Sequence, residues 1–279
     1  ATNESFMNKS LTIDSLAALY QSVDFTSEQL NNIEATVSQL SGNTDLLMAY
    51  YFQIINIQIF PSERLEALDN FLSFAKEYNL DEIAYPLAYK IIDSVEISSD
   101  YIPYSLQIST AFIFNNEFEK ALKWIDFYES VNGTDNKSMI VRLLLDLYSL
   151  DDVSSMIEKI SLNLDILTKI DNKNNEELLY ILFDILGKKQ QKYLSQDLDN
   201  IFDSRQMPSI FILEKINDAI SNKNNNEFLI YSVMSLNNKE WKDVHPLHLK
   251  MILKGFLDYK NGSQLRNLIL EIFNSYKIL

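Results

Sequence analysis

Residues 265–276, LRNLILEIFNSY, decide the fold class. Leu265, Leu268, Ile269, Ile272, Phe273 and Tyr276 fall at i, i+3, i+4, i+7, i+8 and i+11, while Arg266, Asn267, Glu271 and Asn274 share the opposite side. One apolar stripe and one polar face at a period near 3.6 define an amphipathic α-helix. The same spacing recurs along nearly the whole chain. The expected class is therefore all-α.

Punctuation between the periodic segments agrees with this. Thr26 or Ser27, Thr44, Ser62 after Pro61, Asp135, Asp151 or Asp152, and Ser263 after Gly262 stand where N-caps belong, their side-chain oxygens taking otherwise unpaired first-turn amides. Gly42, Gly133, Gly187 and Gly262 read as stops, as do the Asn-rich joints at 115–116, 172–175, 222–226 and 237–238. About fifteen helices result, with starts about 18 residues apart, so a helix pair occupies about 36 residues, a period typical of stacked helical hairpins. The longest apolar run, Leu46 to Phe60, is broken by Gln53, Asn56 and Gln58. It is shorter than the roughly 20 residues needed to cross a bilayer, and it reads as a buried core helix.

Residues 105–133, SLQISTAFIFNNEFEKALKWIDFYESVNG, resemble one tetratricopeptide repeat. Ile108 and Ser109 stand at the family's Leu and small positions, Phe112 at its aromatic, Ala121 at its second small position and Ile125 at its packing position. Tyr128 and Gly133 depart from the Ala and Pro that the family prefers. Residues 62–78, SERLEALDNFLSFAKEY, resemble a repeat's second helix, with Ala67 and Phe71 in the matching roles. The resemblance implies a right-handed, tetratricopeptide-like α-solenoid of about seven helical hairpins. No Pro, Ser or Gly-rich linker interrupts the series, so residues 1–279 read as one repeat domain, with a subdomain joint near 172–175 as the second reading. Small residues such as Ala121 and Gly255 are expected where helices approach closely. The closing hairpin, 245–276, is similar to that of exported bacterial helical-repeat proteins.

The chain has 279 residues, 47% of them hydrophobic and 23% charged, with 5 Gly, 5 Pro and no Cys. Such composition excludes disorder and provides no Gly-rich phosphate loop, thiol nucleophile or Cys-bearing zinc site. The opening, ATNESFMNKSLTID, lacks a basic region followed by an apolar core, so no intact secretory signal is expected in it. Residence in the cytoplasm and export after signal cleavage, into a bacterial periplasm for example, both fit.

Charge is distributed unevenly. Residues 1–140 hold 7 Lys/Arg against 20 Asp/Glu, whereas residues 141–279 hold 17 against 19, within a total of −15. A surface so acidic repels phosphate backbones and anionic lipid, so neither nucleic-acid binding nor membrane insertion is expected. The acidity either keeps an apolar solenoid soluble or faces a basic partner.

Most other chemistry fails at the level of residue supply. The two histidines, His245 and His248, have only Asp243 nearby, too few ligands for zinc. They are expected as a helix cap and a partly buried ring. No nucleophile-elbow motif accompanies them. The stretch 171–177 fails as a calcium loop at Lys173, lacks the central Gly and has Leu182 where the bidentate Glu belongs. Adjacent carboxylates such as Asp151–Asp152, Glu176–Glu177 and Asp197 with Asp199 read as solvated surface charge.

Aromatic residues crowd the segment 85–128, and Tyr and Trp add large contact area at little entropic cost. The expectation is a non-catalytic protein–protein interaction scaffold with neither cofactor nor metal. Its concave acidic and aromatic groove around Tyr85, Tyr89, Trp124 and Tyr128 takes a protein or peptide segment carrying Lys or Arg. The alternative is an enzyme, or an accessory helical domain of a cell-envelope polysaccharide enzyme, using carboxylates. A carrier of apolar ligands is the third class.

Overall fold

The computed structural model describes residues 2–7, 10–78, 80–150, 153–163, 173–185, 205–259 and 262–276. Among them are sixteen α-helices, two 3-10 segments and no strand. None of these helices is long and apolar enough to cross a membrane. The chain divides into two compact units, Ala1–Ser149 and Leu150–Leu279.

The first unit holds α1 (Thr2–Met7), α2 (Ile13–Ser22), α3 (Ser27–Asn31), α4 (Ile33–Leu40), α5 (Thr44–Ile57), α6 (Pro61–Glu77), α7 (Asp81–Ile92), α8 (Ser105–Phe114), α9 (Phe118–Asn132) and α10 (Asn136–Ser149). Each of α5 to α10 packs on the next, α10 also reaches α8, and α2 packs on both α5 and α7. Helix starts follow local chemistry. Thr26 and Gln29 form a reciprocal capping box on α3. Asp135 accepts the Ser138 amide at 2.8 Å ahead of α10, and Asp45 accepts the amides of Thr2 and Asn3, both at 3.1 Å. Two expected caps lie one or two residues off. Asn43, not Thr44, caps α5 through the Leu46 amide. Ahead of α6 the cap position is Phe60, without a side-chain bond, because Pro61 at the first turn already removes one amide that would need a partner.

Residues 105–133 fold as a helix, a tight turn and a helix. Ile108, Ser109, Phe112, Ala121 and Ile125 are all buried where α8 meets α9. Ser109 donates to the Ala121 carbonyl at 2.9 Å, which the absence of a bulky side chain at either position permits. The turn rests on Asn116, whose φ of 60° lies in the left-handed region. Asn115 ties the end of α8 to α7, donating to the carbonyls of Tyr85 and Ala111 at 2.9 and 2.8 Å.

The second unit holds α11 (Val153–Leu162), α12 (Lys173–Ile185), α13 (Ile210–Ser221), α14 (Asn225–Leu236), α15 (Pro246–Asp258) and α16 (Gly262–Ser275). Helices α13 and α14 form a hairpin whose turn uses Lys223 with φ 54°, and α14 ends at Asn237 with φ 47°. Residues 173–175 open α12, and Gly262, read above as a stop, opens α16. Asp151, Asp152, Gly187, Asp197 and Asp199 lie outside the described residues.

The run Leu46 to Phe60 departs from its sequence reading. Helix α5 buries Leu47, Met48, Ala49, Tyr50, Phe52, Ile54 and Ile55, but it stops at Ile57. Ile57, Ile59 and Phe60 are 47%, 83% and 61% exposed. Pro61 explains the break: its ring disfavours helical backbone at Phe60, and the chain leaves α5 extended.

Candidate functional site

The structure places the four sequence-selected aromatics on α7 and α9 and gives them two different roles. Tyr85 and Trp124 are buried. The Tyr85 ring stacks on Phe114 with centroids 4.3 Å apart, and burial pushes its phenol pKa far up. Trp124 meets Phe127 edge-on at 6.2 Å. Tyr89 and Tyr128 are half-buried, and each donates its hydroxyl to a carboxylate: Tyr89 to Glu117 at 3.0 Å, Tyr128 to Asp135 at 2.8 Å. The ammonium of Lys120 sits 5.5 Å from the Tyr89 ring centre and pairs with Asp93 at 2.6 Å. Asp93 and Glu117 are thus already answered by a cation of the same unit. Arg142 does the same further along α9, holding Glu129 below the usual carboxylate range and reaching Asp126 at 2.5 Å.

Helix α6 carries acids without such partners among the described residues. Glu63, Glu66 and Asn70 fall at i, i+3 and i+7, a spacing that puts them on one face, while Leu65, Leu68, Phe71, Leu72 and Ala75 point into the core. With Ile33 of α4, Tyr51 and Ile54 of α5 and Gln58 just beyond it they line an open cavity of about 220 Å³. Among the described residues no cation stands within ion-pair distance of Glu63, Glu66, Asp69 or Glu77. The consequences reach neighbouring groups. Partial burial, reinforced by the charge of Glu66, raises the Asp69 carboxyl above its ordinary value. Burial followed by the charges of Glu66 and Asp69 raises the Tyr104 phenol.

Apolar and aromatic groups flank these acids. Tyr51 meets Phe74 at 5.2 Å and Phe74 meets Tyr78 at 4.6 Å, with Tyr78 half out in solvent. Ile33 is 43% exposed, and the α5–α6 connection adds Ile57, Ile59 and Phe60. Aliphatic surface beside uncompensated carboxylates suits a ligand that is both greasy and cationic. Sequence reasoning missed this site because it followed aromatic density. The available signal was the Ile-Gln-Ile-Phe-Pro stretch at 57–61, where a proline ends a helix before its apolar run does.

In the second unit His245 caps α15, its Nδ1 accepting the Leu247 amide at 3.2 Å. His248 is buried with Nε2 2.8 Å from Ser235 Oγ. The Ser235 hydroxyl spends its hydrogen on the Ser232 carbonyl at 2.6 Å. His248 must therefore donate from Nε2, which is the reverse of a base activating a nucleophile. Burial pushes its pKa down to about 4, so the ring is neutral near pH 7. No group of three or more potential metal ligands occurs among the described residues.

No protein-family model, curated protein or solved structure matches this chain.

Proposed function

We propose that the protein is a non-catalytic interaction protein whose first unit receives a partner segment with basic and apolar side chains in the groove of α4, α5 and α6. The observation that carries this reading is the cavity in which Glu63 and Glu66, without cationic partners among the described residues, stand with Ile33, Tyr51 and Ile54, the exposed Ile57, Ile59 and Phe60 lying in the chain just before them. An amphipathic helix with Leu on one stripe and Lys or Arg beside it would cover the apolar residues and neutralise the acids. Steering would follow from the charge of the whole unit, in which residues 1–149 carry 8 Lys/Arg against 21 Asp/Glu.

The helical hairpins are read further as turns of a tetratricopeptide-like solenoid. Support comes from the 105–133 hairpin, whose motif positions are buried, and from the packing of α10 on both α8 and α9, as the first helix of a following repeat would pack.

A fluorescently labelled amphipathic peptide of Leu and Lys tests the docking reading. Its anisotropy should rise saturably with protein at low salt and lose most of that binding in 0.5 M NaCl, about a threefold to fourfold shorter screening length than at low salt. Amide shifts on binding should concentrate on α4–α6. Absence of binding, or shifts confined to α7 and α9, would contradict it.

A further inference from the structure

A second cavity in the first unit, about 390 Å³, is lined by residues of α2, α5, α6 and α7 and by Ser94 just beyond them. Its size falls in the range of small-molecule sites. Ile13, Phe52, Leu87 and Ile91 give it an apolar lining, and Asp14, Asn56, Arg64 and Lys90 add polar groups. Lys90 pairs with Asp14, so these two charges cancel.

Arg64 differs. Its Nη2 donates to the Gln58 carbonyl at 2.8 Å, but its Nε–H is shielded from solvent and has no acceptor among the described residues. No carboxylate stands within ion-pair distance of it among those residues, although the unit has more than twice as many acids as bases. Arg64 thus lines the cavity without a counter-ion among the described residues. With Lys90 and Asp14 cancelled, the cavity lining carries a single net positive charge.

We propose that this cavity binds a small organic monocarboxylate with a hydrocarbon body. The planar carboxylate accepts from the Nη1 amine of Arg64, the end of the guanidinium that Gln58 leaves free. The hydrocarbon lies on Ile13, Phe52, Leu87 and Ile91. Inorganic phosphate fits less well, since it has no apolar body and brings more charge than one guanidinium balances.

Titration of the full chain with hexanoate, followed by amide and Arg64 Nε–H shifts in nuclear magnetic resonance spectra, tests the proposal. Saturable shifts in the millimolar range should map to Ile13, Arg64, Leu87 and Ile91, and hexanamide should bind about tenfold more weakly or worse. Arg64→Gln should lose at least that factor. Ala18→Leu, which fills the cavity from α2 and leaves Arg64 in place, should also abolish the shifts, and it decides the matter if Arg64→Gln does not fold. Hexanoate that fails to saturate, hexanamide or phosphate that binds equally well at these residues, or unchanged binding by Ala18→Leu would each overturn the proposal.

Discussion

A Cβ built on Gly255 would lie 2.2 Å from Cε2 of Phe228, whose ring is fully buried between α14 and α15. Phe256 meets the same ring at 5.3 Å and so does Tyr259, which also donates to the Ala219 carbonyl at 2.8 Å. The glycine is therefore required by the Phe228 ring seated against α15 and not by backbone conformation. Gly255→Ala should destabilise by about 1–3 kcal/mol through overpacking, less the ~1 kcal/mol that alanine returns as helix propensity. Urea denaturation of Gly255→Ala, Phe228→Leu and the double variant checks this. The double variant should cost less than the sum of the singles, because the smaller side chain makes room for the methyl.

His248 sets an acid limit. Its ring titrates near 6.5 when exposed and near 4 when folded, so between those values the unfolded chain binds a proton that the folded chain refuses. Stability should accordingly fall as pH drops from about 6.5 to about 4, by on the order of 3 kcal/mol at most from this group. Urea midpoints measured across that window should slope in the wild type and flatten in His248→Gln. Equal slopes in the two proteins would assign the limit elsewhere.

Asp135 joins two helices, accepting the Ser138 amide of α10 and the Tyr128 hydroxyl of α9, both at 2.8 Å. Asp135→Ala should cost about 1 kcal/mol, the usual worth of an N-cap. Tyr128→Phe should cost less, since the cap remains. A larger loss in Tyr128→Phe than in Asp135→Ala would mean that the hydroxyl has a role beyond this bond.

Ile59 and Phe60 separate stability from binding. Both are mostly exposed, so Ile59→Ser and Phe60→Ser should change stability by no more than about 0.5 kcal/mol. Phe71→Ala, at a fully buried position of α6, should cost about 3–5 kcal/mol. Binding of the basic amphipathic peptide should fall at least fivefold in the double serine variant, about 1 kcal/mol on the tenfold-per-1.4 scale. Thermal melts and anisotropy measure the two effects independently.

Helix signals were readable where a local rule decides them. Thr26, Asp135 and His245 cap where side-chain chemistry says they should, and Asn116, Asn237 and Asn238 turn the chain with positive φ where asparagine-rich joints interrupt the pattern. At Gly255, where a close approach of helices was expected, the space is taken by the Phe228 ring. Site location was less legible. Exposure depends on which neighbour covers a side chain, so the sequence ranked Tyr85 and Trp124, both interior, above Tyr51 and Phe60. Charge has the same limitation. Asp14, Asp93 and Glu129 find cations from other helices, whereas Glu63 and Glu66 do not among the described residues, and only folding assigns those partners.

The central claim, that the acids of α6 select a basic segment, is tested most directly by exchanging charge across the interface. Affinity of the Leu and Lys peptide, and of a matched Leu and Glu peptide, should be measured against wild type and Glu63→Lys/Glu66→Lys. The account predicts that wild type prefers the Lys peptide and that the variant weakens that binding at least tenfold while gaining affinity for the Glu peptide. Equal affinity of wild type and variant for the Lys peptide, with both folded, would contradict it.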